Sequence, residues 1–369
     1  MTLFGTSVLI AAMENFVLFS TVFALAIFAV ALIVRQITIR EIWRLKAGSL
    51  AQFYAAALIV PPIASLWLVT AALLPRLSLT PEAFAAEHSA PLHQLHLLGE
   101  LTVVLEPALA YAMTLFLAVI AAVVVWSNAR GSWRVTRVIR RLDMQVVAPP
   151  PEQVALVNEV ARKAGLSVGL VMSDYPLSFV WGFRNSKLIL SSGLLRTLSS
   201  AELAGVLEHE AAHHTRRDNL IKLFLSVCSY SSLAFPLCRL IVGWRSTEVE
   251  ILCDEVAAAR TSEPLEIAEA LVKLRRRTTA AHIASEPVAT HAIASSFVSD
   301  SALTFQRRVG RLLTLVDAPV PMSPGPSQAK GPKGVAFVLS AGLVTLSVIL
   351  LFAPLSVHRA AEALIQIFK

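Results

Sequence analysis

Five residues in this 369-residue sequence have the types and spacing for hydrolytic chemistry: His209-Glu210-Ala211-Ala212-His213. On a helix, positions i and i+4 share one face a turn apart. Two imidazoles placed so can both reach a zinc ion at about 2.0–2.1 Å. Glu210 is rotated to the side of the metal, where it can take a proton from zinc-bound water as general base. Zinc lowers that water's pKa to about 7 and polarises a carbonyl. His214 points about 100° away from His213 and reads as a neighbour. A catalytic zinc site usually has three protein ligands and one open position. The next acidic stretch, Glu248-Val249-Glu250-Ile251-Leu252-Cys253-Asp254-Glu255, supplies Glu250 as third ligand, with Glu248 and Glu255 as alternatives. Asp254 shares Glu250's face and can orient a ligating imidazole from behind. Cys253 is near that face too. As a fourth, thiolate ligand it would close the site, so it is expected to be buried beside the metal instead.

The elements that hold these residues are legible in part. Ser199 followed by Glu202 is a capping-box pattern, and Leu203, Val206 and Leu207 continue the helix that carries the two histidines. Upstream, Pro149, Pro150 and Pro151 form a stiff break. Glu152–Ala164 has helical periodicity, with Val154, Val157, Val160 and Ala161 on one face. Ser178–Trp181 and Leu188–Ser191 read as short strands, with Arg184, Asn185 and Ser186 suited to a hairpin turn between them.

The chain is 56% hydrophobic and 15% charged, with a mean hydropathy of +0.66. Soluble domains have about 45–50% apolar and about 25% charged residues, so membrane spans plus a polar domain are expected. Four apolar stretches have the roughly 20 residues a spanning helix needs: Phe16–Val34, Ala51–Leu74, Leu101–Trp126 and Val335–Leu355. Basic residues follow the first rather than precede it, unlike a secretory signal. Arg35, Arg40, Arg44 and Lys46 follow the first span, and Arg130, Arg134, Arg137, Arg140 and Arg141 follow the third. The bias puts the N-terminus outside and the metal site in the cytoplasm of a bacterial plasma membrane. The expected layout is a three-span region over 1–126, a cytoplasmic domain over 127–316, a Pro/Gly-rich linker over 317–334, a last span over 335–355 and a short outer tail over 356–369.

One apolar stretch, Leu220–Val242, tests that layout. If it crossed once, Glu250 and His209 would lie on opposite sides and could not share a metal. Ser226, Ser229, Tyr230, Ser231, Ser232 and Pro236 suit a kinked, re-entrant or protein-buried helix pair. The stretch is therefore expected to return to the side it left.

Beyond these patterns the sequence resembles the integral-membrane zinc peptidases of the BlaR/MecR antibiotic-sensor type. The resemblance covers Phe179 to Leu313 and the span plan. It is carried by WGFRNSKLILSSGLL before the catalytic helix, by HEAAHHTRRDNL, by Ala234–Leu237 (with Phe235 where that group has Asn), and by EILCDEVA over Glu250–Ala257. The last stretch is expected to separate this group from the prenyl-protein and HtpX-like membrane peptidases, which share the zinc helix. The resemblance implies a mainly α chain: a multi-span membrane helix bundle with a cytoplasmic α+β, gluzincin-like zinc peptidase domain. It implies Zn2+ on His209, His213 and Glu250, with Glu210 as base and Asp254, Asp218 and Cys253 in support. It also implies proteolysis of a cytoplasmic, DNA-binding repressor. The antibiotic sensors carry a penicillin-binding domain after the last span, where this sequence has a short tail. The Ser327-to-Lys330 pattern sits in the linker with no domain around it. Beta-lactam sensing by this chain alone is not expected.

Two alternatives to the regulatory reading are a membrane-protein quality-control peptidase and a non-catalytic transducer. The retained Glu210 speaks against the transducer. The net charge of +7 lies beside the apolar segments rather than on a nucleic-acid-binding helix, so no direct nucleic-acid partner is expected. The partners are a protein substrate and the bilayer; a homodimer is compatible with the sequence. Cys228 and Cys238 read as small buried hydrophobes, and three cysteines are no disulfide framework. In the outward loop, His93, His96 and Glu100 would share a helical face and form a candidate sensor for metal or for pH near ~6–7.

Overall fold

A computed structural model describes residues 2–40, 46–73, 151–182, 186–284 and 302–316, with scattered helical positions between 115 and 130. The third and last expected spans (apart from those scattered positions), the linker, the tail and the His93, His96 and Glu100 cluster lie outside the described residues. The chain divides into two compact units.

The described part of one unit holds α1 (Thr2–Ile39), α2 (Ala47–Leu73) and Leu225–Arg245. Phe16–Ile39 and Ala47–Trp67 are long and apolar enough to cross a membrane, near the expected first two spans. Small and apolar residues of α1, among them Val17, Ala24, Ile27 and Ala31, face inward with Leu50, Phe53, Tyr54 and Leu58 of α2. Leu18, Val22, Leu25 and Ile33 point outward, as on a helix that meets lipid on one side. Among the described residues, Ser20 meets Ser231, and Thr21 accepts the Leu233 N–H. Trp244 stacks on Phe28, meets Tyr54 edge-on and lies under the Arg35 guanidinium.

The described part of the second unit covers 151–224 and 246–316, without 285–301. Helix α3 (Pro151–Ala164) opens on Pro151, whose fixed φ suits a first helical position. It ends at Gly165, where φ is +68°, and the Leu166 N–H reaches back to the Ala161 carbonyl. Only glycine takes that turn without strain. Three strands follow: β1 (Ser167–Val171), β2 (Ser178–Trp181) and β3 (Lys187–Ser191). The order is β1-β3-β2, with β1 parallel and β2 antiparallel to β3. The expected hairpin is the β2–β3 pair. Strand β1 is an addition: Ser-Val-Gly-Leu-Val, with a glycine at its centre, lacks the pattern to announce it.

Then come α4 (Ser192–Thr197), α5 (Ser200–Thr215), α6 (Asp218–Ser229), α7 (Phe235–Thr261), α8 (Pro264–Ala284) and α9 (Ala302–Val316). Leu188 and Leu190 of β3, Leu203, Val206 and Leu207 of α5, and Ile267, Leu271 and Leu274 of α8 form the core, joined by Leu312 of α9. Helix α5 is thereby fixed between the sheet side and α8. The 220–242 stretch is two helices, α6 and the start of α7, with Pro236 in the first turn of α7. Leu220, Phe224 and Val227 leave an apolar face of α6 exposed.

Candidate metal centre

The capping box sets where α5 begins. The Ser199 hydroxyl accepts the Glu202 N–H at 3.2 Å, and the Glu202 carboxylate accepts the Ser199 N–H at 2.8 Å. Ten residues on, His209, Glu210 and His213 are buried on α5. Helix α7 brings Glu250 to them. The Nε2 atoms of His209 and His213 are 3.1 Å apart. Glu250 Oε2 is 3.4 Å from His209 Nε2, and Glu250 Oε1 is 3.5 Å from His213 Nε2. Glu250 and the two histidines, on either side of the 220–242 stretch in sequence, thus meet in one cluster.

The Nε2–Nε2 separation and the approach of one Glu250 oxygen to each imidazole fit a metal. Ligands at about 2.0–2.1 Å around a tetrahedral ion stand about 3.3–3.4 Å from one another. The ring tautomers agree. His209 Nδ1 lies 2.8 Å from Asp254 Oδ1, and His213 Nδ1 lies 3.0 Å from Asp218 Oδ2. The hydrogen bond assigns the His213 Nδ1–H to Asp218, and the short Asp254 contact favours a proton on His209 Nδ1, which leaves both Nε2 lone pairs facing each other. Two lone pairs and a carboxylate converging in a dry site repel unless a cation joins them.

Electrostatics point the same way. Burial works against charge on His209, but hydrogen bonds with Asp254 and Glu250 leave it above the ordinary imidazole value. For His213, burial is opposed by Cys253, Glu250 and Asp218, and the balance lies well above that value. Burial pushes the Cys253 thiol itself up and keeps it neutral, so the carboxylates carry the effect on His213. Burial opposes the charge on Glu250 too, yet His213, His209 and Arg308 hold it well below the usual carboxylate range.

Cys253 is fully buried, with Sγ 3.6 Å from His213 Nδ1 and 3.9 Å from Asp218 Oδ2. It sits on the Nδ1 side of the ring, away from the Nε2 triangle. Glu210 is also fully buried. Its Oε1 accepts the Ser178 hydroxyl at 3.3 Å, while Oε2 has no hydrogen-bond partner among the described residues. Burial raises its pKa above the usual carboxylate range, with His209 and His213 pulling the other way. Of the alternative ligands, Glu248 pairs with Arg307 at 2.7 Å and Glu255 with Arg311 at 2.6 Å.

Two residues of the site escaped the sequence reading. Ser178 was visible only as the start of a strand. Arg308 of α9 is wholly buried and grips Asp254 through Nε and Nη2 at 2.7 and 2.8 Å. The signal for it was charge spacing: Arg307, Arg308 and Arg311 answer Glu248, Asp254 and Glu255 of α7.

Residues 151–295 match Peptidase family M48. Curated relatives named "Protease HtpX homolog" align with part of the chain. The Gemmatimonas aurantiaca protein is 28% identical over 174 residues, 37% of this chain and 62% of the relative. That of Polynucleobacter necessarius is 33% identical over 120 residues, 31% and 42% of the two chains. That of Thermococcus kodakarensis is 32% identical over 122 residues, 31% and 40%. The chain thus aligns with less than two thirds of the length of each. The M48 match covers both the histidine helix and Glu250–Ala257. It supports a zinc metallopeptidase family without singling out the antibiotic-sensor type. The Glu250–Ala257 stretch, expected to separate the chain from HtpX-like peptidases, does not keep HtpX homologues out of its matches.

Proposed function

We propose that this chain is a membrane-anchored zinc endopeptidase, with His209, His213 and Glu250 as the metal ligands and Glu210 as the general base. The observation that carries the reading is the convergence of two Nε2 atoms, 3.1 Å apart, on the Glu250 carboxylate, whose Oε2 lies 3.4 Å from His209 and whose Oε1 lies 3.5 Å from His213. A zinc ion there supplies Lewis acidity toward a water molecule and the scissile carbonyl. Glu210 takes the proton of the attacking water at Oε2 and passes it to the leaving amine. Ser178 steadies Oε1 meanwhile, and the raised pKa of Glu210 brings the base nearer to neutrality. Asp254 and Asp218 hold the imidazoles in the ligating tautomer. Cys253 fills space behind His213.

The anchor is α1 and α2; α6 also carries an exposed apolar face. Arg35 in the last turns of α1 and Arg40 just after it favour a cytoplasmic site. The matches to HtpX homologues favour a quality-control protease for membrane or membrane-adjacent proteins over a sensor dedicated to one repressor.

The test pairs two measurements on Glu210→Gln. Proteolysis of a generic unfolded membrane-protein substrate should fall at least 10²-fold, the lower end of a general base's contribution. Bound zinc should match wild type. Equal proteolysis by the variant contradicts the assignment. Accumulation of a single repressor in cells carrying the variant, with no wider set of proteins, would return the substrate to the regulatory reading.

A further inference from the structure

We infer that Arg308, on α9, is a positioning residue that holds two of the three metal donors in place. The inference rests on the zinc-site reading above. Arg308 is 0% exposed, although a guanidinium keeps its charge at any accessible pH. Its planar fork meets both Asp254 oxygens, Nε to Oδ2 at 2.7 Å and Nη2 to Oδ1 at 2.8 Å. That bidentate geometry fixes the carboxylate plane as well as its place. Asp254 Oδ1 is in turn 2.8 Å from His209 Nδ1, so the fork sets the orientation of the imidazole. The remaining nitrogen, Nη1, lies 3.3 Å from Glu250 Oε2. This is the oxygen 3.4 Å from His209 Nε2. One side chain therefore reaches Glu250 directly and His209 through Asp254.

Helix α9 lies beyond residue 295, where the family match ends. Leu312 seats it in the core, and Arg307 and Arg311 pair with Glu248 and Glu255 of α7. Those outer pairs dock the helix; Arg308 is the one that enters the donor network. The Arg308 cation also repels a metal ion, so its removal has an opposing effect. Orientation wins, because loss of such supporting partners typically weakens metal affinity by about 10–100-fold.

Zinc affinity of the full chain in detergent, by competition with a chromophoric chelator, tests this. The set is wild type, Arg308→Met, Arg308→Lys, Arg311→Ala and His209→Ala, with the visible spectrum of each Co2+-substituted protein. Arg308→Met should bind zinc about 10–100-fold more weakly, with an altered Co2+ spectrum. Arg308→Lys should fall between it and wild type. Arg311→Ala, which removes only an outer pair, should match wild type in both. A folded Arg308→Met with wild-type affinity and spectrum overturns the inference. If that variant does not fold, Arg308→Lys decides, and wild-type behaviour there overturns it equally. Loss of zinc in His209→Ala beside full retention in Arg308→Met sinks the role of Arg308 alone. A wild type that binds no zinc sinks the site itself.

Discussion

Each imidazole of the triangle is held from behind by a carboxylate, Asp254 on His209 and Asp218 on His213. Those carboxylates make the rings good ligands, but they also make them good bases. Burial opposes charge on His213, but Glu250 and Asp218 leave it well above its ordinary value in the metal-free protein, and below that raised value a proton occupies the ring. Zinc must displace that proton. Below the raised value, affinity should fall about tenfold per pH unit for each proton displaced, and level off above it. Chelator competition between pH ~6 and ~8 checks the sign; affinity that is flat or rises with acid contradicts it. At this scale the sequence showed most of the site, because an i, i+4 pair with an intervening glutamate is a local pattern. Glu250 was legible from the acidic helix but not uniquely, since Glu248 and Glu255 are equally acidic. Only tertiary contacts assign those two to Arg307 and Arg311. Ser178 and Arg308 reach the site from distant elements, and no local spacing ties a serine in a strand to a glutamate 32 residues later.

Helix α5 carries its ligands accurately only if it cannot shift along its neighbours. Gly205 shows how close that packing is: a Cβ there would stand 2.5 Å from Cγ1 of the buried Ile267 on α8. Alanine is the better helix former by about 1 kcal/mol, while overpacking a core costs about 1–3 kcal/mol. The clash is with a β-branched, fully buried side chain that has no room to swing. Gly205→Ala should therefore destabilise the peptidase unit by about 1 kcal/mol net. Thermal unfolding of zinc-loaded protein reads this, and an unchanged or raised midpoint contradicts it. Element by element, α3, α5 and the β2–β3 hairpin were legible, since period and caps are written in adjacent residues. Strand β1 was not, because its pairing with β3 comes from parallel register rather than from its own five residues. The break between α6 and α7 was readable from the serines and Pro236, given the expectation that His209 and Glu250 share a metal.

For the whole molecule, apolar composition announced helices suited to a bilayer, and α1 and α2 have the length and hydropathy for it. Composition could not say which residues beyond the histidine helix complete a metal centre. That centre draws on β2, α5, α6, α7 and α9, spread over residues 178–308. The central claim is that two imidazoles and a carboxylate hold one zinc ion, with the buried Cys253 sulfur left out. X-ray absorption at the zinc edge, on purified full-length protein in detergent, tests it most directly. The account predicts one zinc per chain, with only nitrogen and oxygen neighbours at about 2.0–2.1 Å. A sulfur neighbour at about 2.3 Å, or a protein that retains no zinc at all, would contradict it.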